Sequence, residues 1–219
     1  MKRNIDINEI TDGKLYKSND LAKVHCDDCK GCFSCCKGMG NSLVLDPYDI
    51  HMLSTGLGIS FTEMIGKYIE LNVVDGIILP NMAMKGEKCG EHETCNFLND
   101  EGRCSIHEFR PGICRLFPLG RLYNDEGFDY ILQINECAKE NRSKMKIKNF
   151  LGINRLSEYE NYITDWHFFI KDLGDGIREM LQNGEDEAAK NVNMMMLNNF
   201  FVKPYEGDFY EEYTQRRSI

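Results

Sequence analysis

The sequence predicts an α+β fold: a small cysteine-rich, metal-binding domain of short hairpins and helices with a C-terminal helical extension. Three observations predict it. All ten cysteines lie before residue 138, and the rest of the chain has none. Between residues 72 and 134, short apolar runs alternate with Asp/Asn and Gly turn signals, as in hairpins. From Asn149 onward, apolar residues recur at spacings of three and four, the period of a helix. The chain therefore divides into an N-terminal arm over 1–25, a cysteine-cluster domain over 26–145 and a helical extension over 146–219.

Composition narrows the function. The chain has 219 residues and is 42% hydrophobic, which is enough for a real core. Its net charge is −9 and its pI about 5.1. An acidic chain is a poor generic partner for nucleic acid or an anionic membrane surface. No run approaches the roughly 18 apolar residues of a membrane span. The start, MKRNIDINEI, carries no apolar signal segment, so a reducing cytoplasm is the expected setting.

The elements follow in order. Residues 1–24 are polar with scattered Ile and Leu and receive no firm assignment. The thiol-dense stretch 26–36 comes next, and Gly38 and Gly40 then allow a tight loop. Leu43–Leu45 is a short strand candidate. Asp46-Pro47 reads as a helix cap and first helical position, with the helix running to about Thr55 and Gly56 and Gly58 as stops. Ser60-Phe-Thr-Glu63 is a capping box, opening a helix expected to reach about Leu71. Asp75-Gly76 marks a hairpin. Asn99–Gly102 turns a second, with Cys95 and Cys104 on its arms. Pro111 opens a short helix that Pro118 ends. Asn124–Gly127 turns a third hairpin, with Phe128–Ile134 as return strand and Cys137 just beyond. Ser157–Glu160 reads as a capping box for a helix interrupted at Gly174 and Gly176. Asn183-Gly184 breaks it again. A last helix, Glu185 to Phe201, turns Ala188, Val192, Met195, Met196 and Phe200 inward, its methionines read as adaptable core.

The thiols carry the chemistry. Cys26, Cys29, Cys32 and Cys35 recur every third residue and Cys36 follows. In a reducing compartment repeated C-x2-C reads as thiolate ligation of zinc or iron–sulfur, because sulfurs at i and i+3 converge across one tight turn. Cys26-x2-Cys29-x2-Cys32-x3-Cys36 also has bacterial ferredoxin spacing. It departs from that pattern at Lys37, where the ferredoxin run has proline, and in lacking a second copy. A radical-SAM pattern fails at Met39. Neighbouring Cys35 and Cys36 point to opposite sides in extended backbone, so they can serve two centres. Cys95, Cys104, Cys114 and Cys137 each sit beside a turn, and none of those turns offers four ligands alone. These thiols are expected to close on the first cluster.

Arg110 and Arg115 flank Cys114 and are the candidate cofactor-contacting cations, since guanidinium N–H groups near sulfur offset cluster charge. His25 and His92 are secondary candidate ligands, weighed against the solvated state of most lone histidines. Gly38-x-Gly40, Gly56-x-Gly58 and Gly174-x-Gly176 lack the strand-and-turn context of a nucleotide site.

Cys29-x2-Cys32-x2-Cys35-Cys36, Cys95-Asn-Phe-Leu, Gly102-Arg-Cys104-Ser-Ile, Arg110-Pro111-x2-Cys114-Arg115-x-Phe-Pro118 and Cys137 together resemble the YkgJ-type cysteine-cluster family. That is a zinc- or iron-chelating domain family, and flagellin lysine N-methylases are similar to it in their cysteine region. The resemblance covers about residues 26–137. It implies eight metal-binding thiols: Cys29, Cys32, Cys35, Cys36, Cys95, Cys104, Cys114 and Cys137. Cys26 and Cys89 are extras. His107 stands where relatives often carry Tyr, so it receives no role.

Three functions compete. The first is a cytoplasmic iron–sulfur protein with a redox or electron-transfer role and an unidentified protein or redox partner. The second is a binding module with structural zinc. The third is a protein-modifying enzyme related to flagellin lysine N-methylase, for which no catalytic residue is legible. Closed four-thiolate sites favour the first two, because metal catalysis needs an open position.

Overall fold

The structure, a computed structural model, describes residues 7–25, 32–86, 93–139 and 141–218. It is built of small antiparallel sheets and helices, as expected for α+β. Strands β1 (Thr11–Tyr16), β7 (Leu119–Asn124) and β8 (Gly127–Gln133) form a three-stranded sheet in the order β1-β8-β7. The residues left unassigned at the N-terminus thus supply a short helix, α1 (Ile7–Ile10), an edge strand, and β2 (Leu21–His25), which pairs with β9 (Ser143–Lys146).

Each predicted hairpin is present. β3 (Ile69–Val74) and β4 (Ile77–Met82) close in register at Val74↔Ile77. The turn needs positive φ at both central residues, which Asp75 (51°) and Gly76 (89°) supply. Asn124↔Gly127 closes the β7–β8 hairpin. The third is held by one bridge, Leu98↔Cys104, and by Ser105 N donating to Phe97 O at 2.8 Å.

The helices differ from expectation where tertiary contacts overrule local signals. α2 (Pro47–Leu57) starts at Asp46 and ends at Gly58 in the left-handed region, as read. Gly56 does not stop it. A Cβ there would lie 2.4 Å from the Phe109 ring, so glycine is required for close packing. The Ser60–Glu63 capping box forms, but α3 covers only Phe61–Met64. Residues 69–74 pair with β4 instead of continuing the helix. The Ser157 box is not used. α6 runs from Leu156 to Gln182 behind Arg155 in the left-handed region, and Gly174 and Gly176 lie inside it. At Gly174 a Cβ would approach Asp75 O and Ile77 at 3.3 Å, so this glycine admits the β3–β4 turn. α7 (Asp186–Leu197) buries Ala189, Asn193, Met196 and Leu197, and Met195 is 70% exposed. The inward face is therefore rotated from the one expected. The helix expected from Glu185 to Phe201 continues past α7 as a π-helical turn (Asn198–Val202), and α8 (Phe209–Arg217), which the sequence did not announce, completes the chain.

Two apolar clusters hold these pieces. The larger joins Ile50 and Leu53 of α2, Ile77 and Leu79 of β4, Tyr162, Ile163 and Trp166 of α6, and Phe209 and Tyr213 of α8 to Cys95, Phe97 and Ile106. The smaller joins Ala22, Val24, Leu116, Leu119, Tyr130, Leu132, Ile147 and Leu151. The thiol-bearing hairpin and the C-terminal helices thus share one core. Among the described residues no helix is long and apolar enough to cross a membrane.

Candidate metal centre

Four segments present thiols to one cavity. The first is the 3-10 turn Ser34–Cys36, in which Cys36 N donates to Phe33 O at 2.9 Å. Its exit is laid beside β6 (Thr94–Cys95) by the Lys37↔Thr94 bridge and by Gly38 N donating to Glu93 O at 3.0 Å. The Glu93 carboxylate, 1% exposed, accepts from Gly40 N at 3.0 Å and fixes the loop from below. The second segment is the hairpin carrying Cys104. Its Gly102 has φ 71°, and a Cβ there would meet the Phe33 ring at 2.8 Å. Glycine lets the hairpin tip lie against the first thiol loop.

The third is α4 (Gly112–Leu116), which carries Cys114. Its first N–H groups have no helical partner. Gly112 N donates to Asp49 Oδ1 at 2.7 Å, tying α4 to the first turn of α2. A Cβ on Gly112 would fall 2.1 Å from the Tyr159 hydroxyl, so α4 also abuts α6. The fourth segment follows β8 and carries Cys137. The cavity between them is about 250 Å³ and is lined by Cys32, Cys35, Cys36, Cys104, Cys114 and Cys137. All are free thiols, as is Cys95. Cys95 is not part of the cavity wall; it is buried in the larger apolar cluster, near enough to Cys36, Cys104 and Cys114 for its charge to disfavour a second thiolate there.

Electrostatics separate the thiols. The Cys36 side chain hydrogen-bonds to Cys35 and lowers the Cys35 pKa to about 7, with Arg110 assisting. The same hydrogen bond, then burial, raises Cys36, so the pair parts with one proton readily and holds the other. Burial raises Cys95, Cys104 and, most of all, Cys114. A dry thiol resists ionising until a cation compensates it. Among the described residues, no three His, Cys, Asp or Glu side chains already meet at metal-holding geometry. The donor set itself fits a soft or borderline metal: several thiols converge on one space, none spent in a disulfide.

Of the sequence-predicted ligands, Cys29 lies outside the described residues, as do Cys26, Cys89 and His92. His25, on β2, lines the cavity. Arg110 also lines it, and its Nη1 donates to His107 Nε2 at 2.8 Å. Arg115 is elsewhere. Its guanidinium donates to the carbonyls of Arg110, Leu151 and Glu108, and it is absent from the cavity wall among the described residues. Sequence reasoning missed Asp49, Gly112 and Glu93. Asp49 sits at the third helical position after an Asp cap, and that capping signal is local; nothing in it shows the reach to Gly112.

The family model described as "CxxCxxCC: Putative zinc- or iron-chelating domain" matches residues 28–150, more than half of the chain. No curated protein and no solved structure matches. The matched span contains every thiol of the cavity together with Cys95, and the chain belongs to this zinc- or iron-chelating CxxCxxCC family.

Proposed function

We propose that the chain holds metal through the thiols of this cavity and that the metal is an iron–sulfur centre with a redox role. The observation that carries the reading is the convergence of six free thiols, from four separate segments, on one space. About 250 Å³ is several times the roughly 30 Å³ that a water occupies in the liquid, so the space suits more than a single ion. Cys95 lies close to Cys36, Cys104 and Cys114 and is a further candidate ligand from outside the cavity wall. Cys35 and Cys36, expected to face opposite ways in extended backbone, instead share a 3-10 turn and a side-chain hydrogen bond, and both line the one cavity. When bound, an iron–sulfur cluster supplies one-electron transfer. The protein's own part is to hold the sulfurs, to exclude water with Phe33, Phe117 and Phe150, and to set a positive charge, Arg110, beside them.

A structural-zinc reading is favoured by a different observation. Cys95 is buried in the larger apolar cluster, and α4 carries Cys114 two residues before Leu116 of the smaller one, so a closed site holding both would tie the clusters together. Anaerobic purification, metal and sulfide analysis, and a visible spectrum before and after dithionite separate the two. The iron–sulfur reading expects iron, acid-labile sulfide and absorption that bleaches on reduction. Colourless protein with only zinc supports the second reading.

A further inference from the structure

β3 is an open sheet edge. Pro80 has no N–H, so Leu71↔Pro80 is a non-hydrogen-bonded pair of the β3–β4 ladder, and by alternation so is Val73↔Ile78. The β4 side agrees. Ile78 N donates to Asn193 Oδ1 at 2.8 Å and Pro80 O accepts from Leu45 N at 2.8 Å, both away from β3. The N–H and C=O groups of Leu71 and Val73 therefore point outward on the far side of β3. Among the described residues, none of these groups has a hydrogen-bond partner. The side chains are open too, Leu71 at 39% and Val73 at 72% exposure, with apolar Pro80 and Ile78 as cross-strand neighbours. Bare edges recruit strands, and proteins ordinarily blunt them with charge, proline or a bulge. The other open edges longer than two residues are blunted. β1 carries Lys14 and a register shift, β2 carries Lys23 and a register shift, β9 carries Lys144 and Lys146, and β7 carries Arg121. β3, Ile-Glu-Leu-Asn-Val-Val, has no Lys, Arg or Pro, and its register with β4 is unbroken. Its one charge, Glu70, projects from the opposite face to Leu71 and Val73.

We propose that a second copy of this chain covers β3 with its own β3, antiparallel about a two-fold axis at Asn72, so that two hairpins join into one four-stranded sheet. The strand is self-complementary in that register. Leu71 of each copy meets Val73 of the other, and each such pair exchanges both N–H···O bonds, which uses every open group of Leu71 and Val73. Glu70 lies opposite Val74 and not opposite the other Glu70, so like charges do not meet. Sliding the strands by two residues one way needs Ile69 O, which already accepts from Gly66 N at 2.9 Å. Sliding them the other way sets Leu71 against Asp75 in the turn. The match is to the strand's own sequence, which assigns the edge to a second copy and not to a foreign peptide. The pairing is short, so the dimer is reversible.

Analytical ultracentrifugation of the full-length protein as isolated, from about 1 μM to about 200 μM, should show a concentration-dependent monomer–dimer equilibrium. Each copy carries a net charge of −9, so raising salt from about 50 mM to about 500 mM should strengthen the dimer several-fold by screening the repulsion. Leu71→Lys with Val73→Lys should leave the protein monomeric and its circular dichroism unchanged, because both side chains are exposed. Leu181→Lys, at an exposed apolar position on α6, should leave the dimer intact. Mixing the Lys variant with a Leu71→Glu, Val73→Glu chain should restore a mixed dimer, since the register sets each Lys against a Glu. In the wild type, hydrogen exchange at the Leu71 and Val73 amides should slow roughly tenfold between dilute and concentrated samples. Protein that stays monomeric at about 200 μM in high salt overturns the inference. It does so even where a labelled Ile-Glu-Leu-Asn-Val-Val peptide binds, for then the edge takes another protein's strand. A dimer that the Lys variant does not weaken has its interface elsewhere and overturns it too.

Discussion

Asp49 Oδ1 accepts a hydrogen bond from Gly112 N at 2.7 Å, and through it the first turn of α2 holds the first turn of the helix that carries Cys114. The other carboxylate oxygen accepts from Asp46 N at 3.2 Å. Asp46 in turn accepts from the Tyr162 hydroxyl at 3.0 Å. One buried acidic pair thus joins α2, α4 and α6 beneath the thiol cavity.

Asp49→Ala strands Gly112 N without an acceptor. It should cost about 1–3 kcal/mol in chemical denaturation, the usual penalty of a buried unsatisfied donor. Asp49→Asn keeps an acceptor oxygen and should cost less. Burial, then the neighbouring Asp46, raises the Asp49 pKa well above the ordinary carboxyl value. A raised folded-state pKa contributes stability that is fully present below the unfolded value and lost as pH rises past it. The stability of wild type relative to Asp49→Asn should therefore fall between pH 4 and pH 7. A difference that stays flat or grows over that range contradicts the assignment.

Gly112→Ala tests the same junction from the other side. The added methyl meets the Tyr159 hydroxyl at 2.1 Å and must push α4 off α6. Overpacking of this kind costs about 1–3 kcal/mol. Bound metal should fall too, because Cys114 moves with its helix, and metal analysis beside a melting curve checks both.

How much of this was legible in the sequence depends on how local each signal is. The three hairpins were readable because Asp75-Gly76, Asn99–Gly102 and Asn124–Gly127 fix their turns within four residues. The extent of α3 was not, because residues 69–74 suit helix or strand and only pairing with β4 decides. Gly56 and Gly174 look like breakers in sequence, yet in the fold they, like Gly102 and Gly112, are sites where a ring, a hydroxyl or a backbone comes too close for a side chain. The thiols announced themselves by number and spacing. The convergence of Cys104, Cys114 and Cys137 on Cys32 to Cys36 matches the expectation drawn from their turns. The cavity role of Arg110 and the remote role of Arg115 were not separable, since both flank Cys114 and only the backbone direction distinguishes them.

That separation has a redox consequence. Reduction adds one negative charge, which a nearby guanidinium stabilises. Arg110→Ala should lower the reduction potential of a bound cluster. Arg115→Ala should shift it less, since that guanidinium is engaged by backbone carbonyls. Equal shifts in the two variants, read by spectroelectrochemistry, contradict the placement.

Metal uptake should depend on pH. Cys95, Cys104 and Cys114 hold their protons more tightly than ordinary thiols, chiefly through burial. Each must be released on ligation. Uptake by metal-free protein should strengthen from pH 6 to pH 8, with net proton release in calorimetry run in buffers of different ionisation enthalpy. Without metal, these raised pKa values contribute stability that is present below the ordinary thiol value and lost at higher pH, so the apo protein should weaken in alkali. Uptake that is indifferent to pH means the buried thiols are not ligands.

The central claim is that the cavity thiols are the ligands, and X-ray absorption at the metal edge of anaerobically isolated, full-length protein tests it most directly. The account predicts a shell dominated by sulfur, near roughly 2.3 Å. It also predicts that Cys36→Ser or Cys114→Ser removes sulfur from that shell or empties the site. A shell of nitrogen and oxygen, or one that both substitutions leave unchanged, contradicts it.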